Sequence, residues 1–148
     1  MAQKKLTVAV LMGGPSAEHD VSLETGKGLL AAVTKLGHRP VPIRISKKGE
    51  WSAVPISRHT PKHTIRIPGR QITVDVALIG LHGTFGEDGQ VQTIFDLLNV
   101  PYSGSGALAS ALAMDKYRFK CFVEGLGLRV ARGVFLEKKD QLSSHAKN

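Results

Sequence analysis

Leu6-Thr7-Val8-Ala9-Val10-Leu11-Met12-Gly13-Gly14-Pro15 is the stretch whose reading decides the fold. Residues 6–12 form a near-continuous apolar run. That is the pattern of a strand covered on both faces rather than on one. Gly13-Gly14-Pro15 then breaks it. A doubly covered strand that leads directly into a glycine turn and a helix is the opening of a parallel α/β sheet.

Downstream of the break the period changes. Val21, Gly26, Leu29, Leu30, Val33 and Leu36 recur at helical spacing. Ser22 is read as the N-cap, Glu24 as the acidic residue favouring the positive helix start, and Gly37 as the C′ residue that ends it. Residues 41–45 read as a second strand, with Lys48-Gly49 as a turn. Residues 52–69 are rich in Pro, His and basic side chains, and His59 and His63 are read there as exposed. Ile65-Arg66-Ile67 and Ile72-Thr73-Val74 flank Pro68-Gly69-Arg70 as a small hairpin. Residues 76–81 form the next buried strand, which ends at His82-Gly83. A loop over 83–89 follows, then a helix with Val91, Ile94, Phe95 and Leu98 on one face. Val100-Pro101-Tyr102 reads as a very short strand and residues 107–113 as a small-residue helix. Asp115 caps a further helix bearing Phe119, Phe122, Val123 and Leu126. Residues 130–136 read as a strand that begins a new unit, before a polar tail without period. The expected division is an α/β domain over 1–114 and the start of another over 115–148.

Composition narrows the function. The 148 residues are 42% hydrophobic, enough for a real core; a domain of this length buries roughly 70% of its unfolded surface. A single cysteine excludes an intrachain disulfide and fits a reducing compartment. Cys121, among Phe119, Phe122 and Val123, is read as core packing. The basic start and apolar run resemble a signal peptide, but the run is too short and leads into Gly-Gly-Pro. It is read as the first strand of a cytoplasmic protein. No stretch approaches the roughly 20 apolar residues that span a bilayer. The net charge of +8 raises the question of nucleic acid. The charges are scattered, however, and few aromatics are available to stack on bases. The expectation is a solvated surface biased toward small anions.

In open α/β sheets, ligands bind beyond the carboxyl ends of the strands. Two Gly-rich polar loops leave strand ends here, 13–20 and 82–89. If their strands are neighbours, Glu18, His82, Glu87 and Asp88 come to one crevice. A helix start attracts anions and Glu18 attracts an ammonium, a pair that suits a zwitterion. The bland reading is that Glu18 and Asp20 merely complement the helix dipole, that His82 is a satisfied turn histidine, and that Asp88 caps the following helix. Gly104-Ser105-Gly106-Ala107-Leu108-Ala109 mimics a dinucleotide fingerprint in poor context, with no acidic residue at the required distance. Lys116, behind Asp115, is either a phosphate contact or one more surface lysine.

Taken together, four blocks carry a resemblance. Val8-Ala9-Val10-Leu11-Met12-Gly13-Gly14-Pro15-Ser16-Ala17-Glu18-His19-Asp20-Val21-Ser22 resembles the first signature of the D-alanine–D-alanine ligases. Leu81-His82-Gly83-Thr84-Phe85-Gly86-Glu87-Asp88-Gly89 resembles the second. Pro101-Tyr102-Ser103-Gly104-Ser105-Gly106 and Ala113-Met114-Asp115-Lys116 follow in the family's order and spacing. Asp20 stands where glutamate is commoner, and Pro15 where threonine is also found. The resemblance implies a Rossmann-like pre-ATP-grasp domain followed by the start of the ATP-grasp central domain. It implies an ATP- and Mg2+-dependent enzyme that joins two D-alanines for peptidoglycan, acting in the cytoplasm without a nucleic-acid or membrane partner. A homodimer through the amino-terminal domain is compatible with it. By carry-over, Glu18 is the catalytic residue that anchors the first D-alanine's ammonium. Val21 and Ser22 shape that pocket, His82 lies near the carboxylate, and Lys116 contacts the ATP phosphates. Family members continue for about as long again. The metal ligands and most phosphoryl-transfer groups are expected there, so these residues alone are expected to be inactive. Two other readings stand beside this one: a non-catalytic amino-acid- or partner-binding module, and a related ligase with a different second substrate.

Overall fold

The computed structural model describes residues 4–52, 63–67 and 70–136. The chain divides into two compact units, Met1–Met114 and Asp115–Asn148.

In the first unit, β1 (Thr7–Gly13) is the central strand. It pairs in parallel with β2 (Arg39–Ile45) on one side and β5 (Val76–Ile79) on the other. Both faces of β1 are covered, as its unbroken apolar run requires. Val8, Val10 and Met12 pack with Val33 of helix α1 (His19–Lys35). Ala9 and Leu11 join the larger core with Val41, Ile43, Phe95 and Leu98. Burial in β2 alternates. Its outward positions carry Arg39, Pro42 and Arg44, and prolines are tolerated there because β2 is the edge strand. The hairpin β3 (Thr64–Ile67) and β4 (Arg70–Thr73) is antiparallel and sends Ile65 and Ile72 into the larger core. Its turn lies outside the described residues, as does His59; His63 is half-buried rather than exposed.

Several expectations are corrected. Helix α1 begins three residues before Ser22, with Glu18 as its N-cap position. Ser22 is fully buried and Asp20 is the first-turn acid; Glu24 pairs with Lys27 instead. The buried stripe runs through Ser22, Gly26 and Val33, whereas Val21 and Leu36 are 59% and 67% exposed. Gly26 sets the helix-to-strand distance, because a Cβ there would lie 2.5 Å from Met12 Cβ. Gly37, at φ +79°, ends α1 as expected. Residues 100–102 form a single parallel bridge, Ala77 to Tyr102, rather than a strand.

Helix α2 (Gln90–Leu98) buries Val91 and Phe95 and is followed by α3 (Ala107–Met114). A Cβ on Gly89 would lie 2.5 Å from Ala107 O, so the start of α2 meets the start of α3 backbone to backbone.

The second unit begins with α4 (Lys116–Gly125), capped by Asp115, whose side chain accepts from the Arg118 amide. Cys121 is exposed, and α4 buries none of its residues. Phe119, Phe122 and Leu126 are exposed too. Residues 130–136 form no strand. An extended run needs a partner ladder for its N–H and C=O groups, and none pairs with it among the described residues. Among those residues no helix is long and apolar enough to cross a membrane.

Candidate functional site

Because β1 and β5 are hydrogen-bonded neighbours, the loops that leave their carboxyl ends meet. Three contacts tie them together. Ser16 Oγ donates to the His82 carbonyl at 2.7 Å. Ser22 Oγ accepts from the Gly13 amide at 2.9 Å and donates to the Gly80 carbonyl at 2.7 Å. The Glu18 carboxylate lies over Gly83: a Cβ there would sit 2.7 Å from Glu18 Oε2. Gly83, at φ +68°, therefore supplies both a left-handed turn and the space in which the carboxylate rests.

The first loop is shaped locally. Gly13 and Gly14 adopt φ +88° and +94°, conformations that side-chain-bearing residues avoid. His19 is buried, and its Nδ1 donates to the Gly14 carbonyl at 2.6 Å. Ser16 Oγ accepts from the Glu18 amide. Glu18 itself makes no side-chain capping bond to α1. Its carboxylate is exposed, with no hydrogen-bond or ion-pair partner among the described residues. Its place at the N-cap position leaves that charge complementing the helix dipole through space, without a capping bond.

The second loop is over-determined by its own polar groups. Phe85 takes φ +75°, a strained state for a bulky residue. It is held there by its amide on Asp88 Oδ2 and by an edge-on contact with Trp51, ring centroids 5.9 Å apart. Glu87 Oε2 accepts from the Gly83 amide. Asp88 Oδ1 accepts from the Gln90 amide, the first of α2. Glu87 and Asp88 thus hold their own loop together, and Glu87 does so through the amide of Gly83, the glycine over which the Glu18 carboxylate lies. Gln92, buried, donates from Nε2 to the Gly86 carbonyl.

His82 is half-buried, with Nε2 2.9 Å from Thr25 Oγ1 of α1. The crevice thus combines a free carboxylate with an oriented imidazole. Val21 is an exposed apolar side chain, and Ser22 acts beneath, with its hydroxyl engaged by backbone on both sides. Lys116 lies in the second unit as the first, exposed residue of α4, behind the cap Asp115. The Arg118 amide holds the Asp115 carboxyl below the usual carboxylate range. An exposed ammonium at a helix start fits one phosphate contact. Among the described residues, no group of three or more His, Cys, Asp or Glu could hold a metal ion. Sequence reasoning missed Ser16, His19, Thr25 and Gln92. Ser16 alone carried a local signal, as a serine two residues before the helix cap can form a turn.

A polar crevice at the carboxyl ends of parallel strands, bearing an unpaired carboxylate beside a helix start, stands where α/β domains bind their ligands. Solved structures share that fold. The D-alanine-D-alanine ligase from Coxiella burnetii superposes with a TM-score of 0.81 at 25% identity, covering 94% of this chain and 46% of that one. The VanG D-Ala:D-Ser ligase from Enterococcus faecalis gives 0.76 at 29% identity, covering 87% and 44%. A D-alanine–D-alanine ligase of Citrifermentans bemidjiense is 42% identical over 139 residues, 94% of this chain and 40% of the relative. The chain belongs to the D-ala D-ala ligase N-terminus family, whose model matches residues 7–67 and 53–105. It spans about 40% of the length of that curated relative.

Proposed function

We propose that the chain supplies the first-substrate half of an ATP-dependent D-alanine–D-alanine ligase, a cytoplasmic ATP-grasp enzyme of peptidoglycan synthesis. The observation that carries this reading is the Glu18 carboxylate, held over Gly83 without a partner where the two strand-end loops meet.

In this reading Glu18 accepts N–H bonds from the ammonium of the first D-alanine and fixes the orientation of its Cα. Charge-assisted bonds of this kind are about twice as strong as neutral ones. The Thr25 hydroxyl, 2.9 Å from His82 Nε2, orients the imidazole beside the substrate carboxylate. Val21 offers an apolar wall for the methyl group. Ser22 is a positioning residue that locks the ends of β1 and β5. Lys116 holds a phosphate of ATP. ATP and Mg2+, when bound, supply the activation of the carboxylate and neutralise the charge that develops on phosphoryl transfer. The metal ligands belong to the remainder of the relatives' length, so these 148 residues alone release no phosphate from ATP and D-alanine. Homodimerisation through the amino-terminal unit belongs to the same reading, with Leu97 and Leu108 among its exposed apolar side chains.

The likeness to the VanG D-Ala:D-Ser ligase favours a second reading, in which the first substrate is the same and the second differs. Both readings share the Glu18 crevice. The test uses the ligand's chemistry. D-alanine should perturb amide resonances at Ser16, His82 and Gly83 saturably in a 15N-labelled chain. D-lactate, which has a hydroxyl in place of the ammonium, should not. Equal perturbation by both would remove Glu18 from the role given to it.

A further inference from the structure

The hydroxyl of Ser16 reaches both residues to which the substrate's charged ends are assigned above. Its Oγ accepts from the Glu18 amide at 3.1 Å, two residues ahead in the first loop. The same group donates to the His82 carbonyl at 2.7 Å, 66 residues away in the second. The partners fix these roles, because an amide N–H only donates and a carbonyl only accepts. The single hydroxyl proton is therefore committed across the crevice, and a lone pair of the oxygen is committed within the first loop.

The two loops come this close because residue 83 is glycine. A Cβ there would sit 2.7 Å from Glu18 Oε2 and 3.2 Å from Ser16 Cβ. Ser16 and Glu18 thus lie together over the residue that follows His82. His82 is held at its other end as well, with its ring 2.9 Å from Thr25 Oγ1 of α1. Ser22 joins the strand ends beneath, at Gly13 and Gly80. Ser16 joins the loops at the two residues themselves. A serine turn needs only the bond to the Glu18 amide. The bond to His82 adds a fixed separation between the loops. A zwitterion needs such a separation, since its ammonium and carboxylate are a set distance apart. Groups held in place beforehand also spare the ligand the cost of ordering them.

We infer that Ser16 is a positioning residue for the first substrate, its hydroxyl setting the distance between Glu18 and His82 so that one small amino acid reaches both. The inference rests on the reading of the Glu18 crevice proposed above, and adds the group that makes its two ends a single site.

The test has a ligand-free arm and a ligand arm, both on the 15N-labelled chain. Without ligand, Ser16→Ala should speed solvent exchange of the Glu18 amide, which loses its acceptor. It should also speed exchange of the Gly83 amide, whose own acceptor on Glu87 is untouched. Ser16→Thr keeps the hydroxyl and should leave both amides near wild type. Faster exchange confined to Glu18 would reduce the hydroxyl to a local turn and overturn the inference. With ligand, D-alanine is compared with D-alaninol, which keeps the ammonium and has a neutral alcohol in place of the carboxylate. Ser16→Ala should weaken D-alanine roughly tenfold and D-alaninol about threefold or less, narrowing the preference for the amino acid. A merely destabilised loop would weaken both ligands alike, and that result would overturn the inference. So would D-alanine binding that is lost in Glu18→Gln and unchanged in Ser16→Ala, which would spare the Glu18 reading. No D-alanine binding to wild type would instead remove the Glu18 reading, and the role of Ser16 with it.

Discussion

Helices α1 and α4 carry the same kind of apolar stripe in sequence, and the structure treats them differently. In α1 the stripe is laid against β1, with Gly26 pressed onto Met12 and Val33 in the core. In α4 Phe119, Phe122 and Leu126 are exposed, and the nearby ring contact is a stack of Tyr117 on Phe135, centroids 4.4 Å apart. The difference teaches that periodicity identifies which face of a helix is apolar and says nothing about what covers it. The first unit has its own sheet to cover α1. In the second, residues 130–136 pair with no strand among the described residues.

The sharpest way to break this comparison is to remove one aromatic from each unit. Phe95 is fully buried in the larger core. Phe95→Ala should cost about 3–5 kcal/mol of unfolding free energy in urea denaturation. Phe122→Ala removes an exposed ring and should change stability by about 0.5 kcal/mol or less. Equal losses would mean that the second unit packs as tightly as the first.

A smaller effect sharpens the same contrast. Asp115→Ala should lower the helical circular-dichroism signal at neutral pH without moving the main unfolding midpoint, since α4 buries no residue. The Arg118 amide lowers the Asp115 carboxyl. A lowered folded-state pKa means that the cap stabilises α4 above the ordinary carboxylate range and is lost as pH falls through the lowered value. Wild type and variant should therefore converge in acid. A difference that persists at low pH would show that charge is not what the cap uses.

Much of the first unit was legible in sequence. The apolar run of residues 6–12 and the period change after it suffice for β1 and α1, and Gly37 marks the end of the helix. The α1 start was misplaced because Ser22 has the chemistry of an N-cap but applies its hydroxyl to tertiary contacts with Gly13 and Gly80. No local pattern signals a bond across 58 residues. The meeting of the two loops followed from the order of the strands, and the free state of Glu18 follows only from coordinates. Glu87 and Asp88 look like ligand groups by composition, yet satisfy their own loop, because a turn with Phe85 at positive φ needs acceptors for its amides. Gln92 gave no signal: a glutamine on an amphipathic helix is ordinarily a surface residue.

The most direct test of the account is calorimetric titration of D-alanine into the wild-type chain and into Glu18→Gln. The substitution keeps the shape of the side chain and removes only its charge. The account predicts measurable binding to wild type, weakened roughly tenfold or more in the variant, as the loss of a charge-assisted bond requires. Equal affinities for the two proteins, or no binding to wild type at millimolar ligand, would contradict it.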